Sequence, residues 1–173
     1  VLSIAAGVSR ACLQGWVRHP RVLRAMPNTP ALVGEGISVL HVPSDVEPAL
    51  LLLARRVLAA LGEFVEVADE DLLHVVTALS GSGPAYAAVV LESLADGAVT
   101  EGLPRALALQ LARETLRGAM TLMRDTHPAL LKDAVSSPGG TTTAGLAAAE
   151  AGGLRSALIE AVRAATRRSR ELG

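Results

Sequence analysis

Strand-like segments crowd the first 68 residues of this chain and then stop. "VLSIAAGV" at the start, "RVLRAM" from Arg21, "GISVLHV" from Gly36 and "EFVEVA" from Glu63 are short apolar runs bounded by Gly, Pro or Asn. Helix-like pieces lie between them. "SRACLQGWV" offers Ser9 as an N-cap. "SDVEPALLLLARRVLAAL" offers Ser44 or Asp45 as a cap, Pro48 in the first turn and Gly62 after the end. Such alternation predicts a sheet with helices packed on it. After Ala68 only helices are predicted: "DEDLLHVVTAL", a helix within "SGSGPAYAAVVLESLADGAVTEG", "LPRALALQLARETLRGAMTLMRD", "HPALLKDAV", and a last one from Gly153. The expected boundary lies at Asp69, with a partial α/β unit over 1–68 and an all-helical unit over 69–173.

Half of the chain is apolar, yet Trp16, Phe64 and Tyr86 are its only aromatic residues. The interior must therefore be Leu, Val and Ala, a palette that suits close-packed helices. The helices are apolar over wide arcs, and a wide apolar arc needs a partner surface. Either the helices cover one another or two copies of the chain interleave; the second is the expectation. A net charge of −1 gives no reason to expect a nucleic-acid or membrane partner. No uninterrupted apolar run reaches the ~18 residues of a membrane span. The uncharged start is not that of a signal peptide. The lone Cys12 excludes an internal disulfide and fits a reducing, cytoplasmic setting. Cys12 itself reads as a small packed side chain.

Three stretches carry chemistry. "SSPGGTTTAG", Ser136 to Gly145, sets flexible backbone before a helix whose first turn is loaded with hydroxyls. That is a helix start, and also the makings of an anion site, since the amides of a first helical turn have no partner and carry partial positive charge. "TALSGSGPAY", Thr77 to Tyr86, is expected to break one helix at Ser80–Gly83 and start another at Pro84. It is either a ligand pocket of bare backbone or a linker. "AMPNTPAL", Ala25 to Leu32, is a rigid turn. At the carboxyl end of a strand it would line the crevice where open α/β sheets bind ligands; otherwise it is an ordinary loop. His19, His41, His74 and His127 show no metal-ligand spacing, so no metal is expected. No G-x-S-x-G elbow is present, which argues against a hydrolase. The tail "RRSRE" reads as a solvated helix end.

Taken in order, "AAGV", "MPNTPALVGEG", "VTALSGSGPAY", "ADGAVTEGLPR", "HPALLKDAVSSPGGTTTAGL" and "RSREL" resemble the pyrroline-5-carboxylate reductase family. The resemblance covers essentially the whole chain. It implies a fold of two parts: the C-terminal part of a Rossmann-type dinucleotide-binding domain, then an all-helical dimerisation domain. His74 stands where an aspartate is more usual, and Ala149 where a larger apolar residue is expected. The family's opening G-x-G-x-x-G turn has no counterpart, so the chain resembles the family from the middle of its nucleotide domain onward.

The resemblance further implies reduction of L-1-pyrroline-5-carboxylate to L-proline with hydride from NADPH or NADH, the last step of proline synthesis. Backbone amides across Ser137, Gly139, Gly140 and Thr141 would hold the substrate carboxylate. Thr142 would stand beside the ring nitrogen, as an orienter more than an acid, and Val135 would pack on the ring. On the cofactor side, Ala5, Ala6 and Gly7 would lie near the nicotinamide ribose. Met26, Pro27, Asn28 and Thr29 would flank the nicotinamide, and Glu70 would bond the carboxamide. The partner would be a second copy, with the dimers assembling further. Two alternatives are an inactive dimerising module and a related imine or β-hydroxyacid reductase.

Overall fold

The computed structural model describes residues 1–172. The chain packs as two compact units: Val1–Pro84 together with the C-terminal segment from Ile159, and Ala85–Leu158.

The first unit is built on a four-stranded sheet in the order β1 (Leu2–Ser3), β2 (Leu23–Met26), β3 (Gly36–His41), β4 (Gly62–Val67). The predicted strands all form. β1 and β2 are parallel, as are β3 and β4, but β2 and β3 run antiparallel, joined through a 3₁₀ turn at Thr29–Val33. Strand residues alternate between faces. Leu23 and Ala25 therefore share one face of β2 and meet Leu40 from β3, and α2 (Pro48–Ala59) closes this core with Ala54 and Leu58. Leu23, Leu40 and Leu58 are all at most 1% exposed. The opposite face carries Arg24 and Met26, which pair across the sheet with His41 and Val39. The short α3 (Leu72–Val76) lies against β2 and β3.

Helix α1 (Arg10–Val17) starts as predicted, with Ser9 Oγ accepting the Cys12 amide at 3.2 Å. Three expectations need correction. Neither Ser44 nor Asp45 caps α2: its first residue is Pro48, preceded by Glu47. The Asp45 carboxylate is instead held by both terminal nitrogens of Arg10, at 2.8 and 3.1 Å. Cys12 is exposed rather than packed, because it falls on the outer side of α1 while Leu13 is buried. The Ser80–Gly83 stretch does not break the helix. The chain widens into a π-turn over Thr77–Gly81 and runs on into α4 (Gly83–Thr100). The amide of Ser82 reaches five residues back to the Thr77 carbonyl at 2.9 Å, which defines the wider turn. Thr77 Oγ1 bonds the Leu73 carbonyl at 2.7 Å, so hydroxyls support the backbone where the ladder shifts. Leu72–Thr100 thus forms one helical stretch of 29 residues, long and apolar enough by length and composition to cross a membrane. The sequence had shown no uninterrupted apolar run of that size.

The second unit holds most of α4 with α5 (Arg105–Leu122), α6 (Pro128–Ala134) and α7 (Thr141–Ala151). Its buried centre is small: Ala95 of α4 meets Ala108 and Ala112 of α5. Alanine lets helix axes approach closely but buries little area. Leu91, Val99 and Leu109 pack partly against it, but other large side chains of these helices lie outside. Leu94 is 52% exposed, Leu111 49% and Met120 58%. After α7, the pair Gly152–Gly153 turns the chain into α8 (Leu154–Glu171), with Gly153 at φ +77°.

Candidate functional site

Two surfaces gather the residues singled out in the sequence, one in each unit.

In the first unit, a groove of about 440 Å³ lies at the carboxyl end of β2. Met26, Pro27, Asn28 and Thr29 form one side, and Ile4, Leu61 and Gly81 contribute to the rest. The "MPNTP" and "SGSG" stretches are therefore brought together. Their contact is close: a β-carbon on Gly81 would come within 2.9 Å of Met26 Cε. The Asn28 side chain accepts the Ile37 amide at 3.0 Å, fixing the turn to the start of β3. Pro30 stiffens the 3₁₀ turn, and Gly34 ends it at φ +77°. The groove is mostly apolar and of a size for a planar heteroaromatic ring with a few polar neighbours. A nicotinamide fits that description. No strand–G-x-G-x-x-G–helix unit occurs among the described residues, so the fit concerns the nicotinamide end.

The other cofactor-side residues are placed differently. Ala5 and Ala6 are exposed on the loop after β1. Gly7 is buried at φ +78°, with Ser169 and Leu172 so near that a β-carbon would stand 2.7 Å from Leu172 Cβ. It serves the packing of α8 on this loop. Glu70 points into the protein: its Oε1 accepts the Arg10 amide at 2.5 Å and Arg24 Nη1 at 2.7 Å. Burial alone would raise the Glu70 carboxyl. The bonds from Arg24 and from the Arg10 amide, with the charges of Arg24 and His41, outweigh burial and hold it below its ordinary value.

In the second unit, the residues around Ser136–Thr143 form a folded loop. Val135 follows α6 and is 56% exposed. Ser136 Oγ donates to the Lys132 carbonyl at 2.6 Å. The Ser137 carbonyl accepts both the Gly140 amide at 3.0 Å and Thr143 Oγ1 at 2.8 Å. Gly139 sits at φ +67°, a conformation that glycine adopts without strain. Gly140 has ordinary angles, but a β-carbon there would run into Ser137 Oγ. Gly140 is the N-cap of α7 and has no side chain to bond the first-turn amides. The threonines occupy that first turn, with Thr142 half-buried and Thr141 and Thr143 exposed. One expectation shifts: the Gly140 amide is engaged inside the turn, so the outward amides of the helix start are those of Thr141–Thr143.

Sequence reasoning missed Arg24 and Arg10. The signal was a lone charge inside the apolar run "RVLRAM", at the alternate position from Leu23 and Ala25. Three of the four histidines have local tasks: His19 and His127 each accept a backbone amide two residues on, and His74 Nδ1 lies 2.9 Å from Ser169 Oγ.

The described residues thus hold a half-sheet with an apolar groove at a strand end and, in the other unit, a helix start with no capping side chain. The model of the family described as pyrroline-5-carboxylate reductase dimerisation matches residues 70–172. A pyrroline-5-carboxylate reductase of Synechocystis is 53% identical over 175 residues, covering all of this chain and 65% of the relative. One of Arabidopsis thaliana is 47% identical, covering 99% of this chain and 63% of the relative. The solved structure of a pyrroline-5-carboxylate reductase from Coxiella burnetii superposes with a TM-score of 0.91 at 37% identity, over 100% of this chain and 65% of that one. The Plasmodium falciparum pyrroline carboxylate reductase with NADP bound gives 0.91 at 32%, over 99% and 70%. The chain belongs to the pyrroline-5-carboxylate reductase family. It spans 63–65% of the length of these two curated relatives.

Proposed function

We propose that this protein reduces L-1-pyrroline-5-carboxylate to L-proline with hydride from NADPH or NADH, as the last step of proline synthesis. The observation that carries this reading is the helix start at Gly140–Thr143, where outward amides and a half-buried threonine are held by a glycine turn. A cyclic imino acid offers a carboxylate and a ring nitrogen about one side chain apart. The Thr141–Thr143 amides suit the carboxylate, because they are unpartnered donors at the positive end of α7. Thr142 Oγ1 suits the ring nitrogen. A threonine hydroxyl is a weak acid, so it orients the imine rather than protonates it. Val135 gives the ring an apolar contact.

The dinucleotide, when bound, supplies a hydride. Met26, Pro27, Asn28 and Thr29 would flank its nicotinamide, with Ala5 and Ala6 towards the ribose. The imine is reduced when its carbon gains the hydride and its nitrogen carries a proton. The groove would flank the nicotinamide, and the Thr142 turn would orient the imine. Such positioning is the main thing a protein can contribute to hydride transfer. The start of the family match at residue 70 supports a functional division into 1–68 and 69–173.

A second copy is the partner we propose for the helical unit, with higher assembly and a cytoplasmic setting as further expectations. Leu94, Leu111 and Met120 are about half exposed, and the matched family model is named for dimerisation. The experiment is an assay of NADPH and NADH oxidation by the full-length protein, with pyrroline-5-carboxylate and with a six-membered cyclic imine. Proline formation from the five-membered substrate is the expected result. Preference for the six-membered ring would move the protein to another imine reductase class. A stable dimer with no turnover on either would make it a dimerising module.

A further inference from the structure

The face of the sheet away from the leucine core carries a charged residue that the functional reading does not use. Arg24 is 4% exposed, in the middle of β2. Its Nη1 donates to Glu70 Oε1 at 2.7 Å and its Nη2 to the Ala5 carbonyl at 3.4 Å. Glu70 Oε1 accepts the Arg10 amide as well, so the carboxylate also sits at the first turn of α1. Arg10 is tied back to the Val22 carbonyl at 2.9 Å and to Asp45. One guanidinium thereby links β2, the loop after β1 and the segment leading into α3. Two residues along the same face of β2 lies Met26, which reaches Gly81 in the groove.

A buried ion pair adds little stability over apolar residues of similar volume. What a guanidinium does supply is direction, because its donors are fixed in a plane and can hold two acceptors at once. The two acceptors here are Ala5, on the loop expected at the nicotinamide ribose, and Glu70, expected at the carboxamide. We infer that Arg24 is a positioning residue for the nicotinamide end of the dinucleotide. It acts by holding the Ala5 carbonyl and the Glu70 carboxylate in fixed positions. The inference rests on the reductase reading and adds to it a residue that touches neither substrate nor cofactor.

The test uses the full-length protein as wild type, Arg24→Lys, Arg24→Met and the double variant Arg24→Met/Glu70→Gln. The double variant removes the half-buried carboxylate that Arg24→Met leaves without its guanidinium, so a folding failure of Arg24→Met does not end the experiment. Hydrogen exchange is followed over residues 3–8 and 70–73, with β3 and β4 as the internal control. Affinity is measured for NAD(P)H and for the matching ADP-ribose, which lacks nicotinamide. Faster exchange in those two segments only is expected, together with about tenfold weaker NAD(P)H binding, the scale of one ordinary hydrogen bond, and unchanged ADP-ribose binding. Lysine should not restore wild-type behaviour, since a point charge cannot hold both acceptors. Unchanged exchange, an equal loss for both ligands, or full rescue by lysine would overturn the inference. Failure of the wild-type protein to bind NAD(P)H would overturn the reading beneath it, and would be seen before any variant is compared.

Discussion

The sheet unit and the helical unit solve the burial problem in opposite ways. In the first, Leu23, Leu40 and Leu58 are at most 1% exposed, enclosed between β2, β3 and α2. In the second, the buried centre is alanine, and leucines at 94, 107, 111 and 122 are between 42% and 60% exposed. Composition is not the cause, for both units are rich in leucine. A sheet face presents alternate side chains to one covering helix, so a few leucines suffice for a core. Two helices that meet through alanines bury little area, and Leu94, Leu111 and Met120 stay about half exposed. The first unit therefore closes a leucine core around its sheet, while the second buries only alanine at its centre and keeps an apolar surface that a partner can cover.

The largest effect expected from this contrast is in the sheet. Leu40→Ala should cost about 2–5 kcal/mol, because it leaves a cavity in a closed core. Denaturant unfolding of the wild type and the variant measures it; a loss below that of an exposed site would break the comparison. Next comes the helical surface. Leu111→Asp should leave the helices formed, by circular dichroism, while weakening self-association by at least about 2 kcal/mol, roughly thirtyfold. An unchanged dissociation constant would place the partner surface elsewhere.

The two sites differ in the same spirit, the groove being walled by side chains and the loop built from backbone. Gly140→Val should push Ser137 Oγ aside and disturb the turn that aims the Thr141–Thr143 amides. The Michaelis constant for the imine should rise roughly thirtyfold, equivalent to about 2 kcal/mol, the value of a hydrogen bond to a charged group. Inhibition by proline should weaken with it; normal proline inhibition would make the loop a helix start and nothing more. Thr142→Ala removes one orienting hydroxyl and should lower turnover by roughly tenfold, about 1–1.4 kcal/mol, with cofactor affinity unchanged. An unchanged rate would take Thr142 out of the site.

The smallest effect is on pH dependence. The Glu70 carboxyl is held below its ordinary 4.5 in the folded protein, its contacts with Arg24 and the Arg10 amide overcoming the effect of burial. A carboxyl depressed on folding stabilises the native state fully above its unfolded value, and that contribution is lost as pH falls through the folded value. Thermal melts should therefore fall on the acid side of pH 4.5, and less so in Arg24→Met/Glu70→Gln. Parallel curves would show that the pair does not contribute.

The strands, α1 with its Ser9 cap, and the turn ahead of α7 were legible in the sequence because each depends on neighbours in the chain. Alternation, a capping hydroxyl and a glycine pair are local signals. Arg24 was not legible, since its partner Glu70 lies 46 residues away and only the fold brings them together. Asp45 failed as a cap for the same reason, being drawn off by Arg10 from 35 residues away. The π-turn escaped because glycine and serine usually end a helix. Here Thr77 supports the backbone with its own hydroxyl, and Ser82 reaches back five residues. Cys12 lies beside Leu13 on α1, and the sequence did not show which of the two faces inward.

The exposed leucines of the helical unit are proposed as one half of an interface with a second copy. Light scattering of the 173-residue chain over a hundredfold range of concentration tests it directly. A particle of at least twice the 17.8 kDa chain mass is expected, falling towards 17.8 kDa on Leu111→Asp substitution. A folded wild-type chain that stays at 17.8 kDa throughout would contradict it.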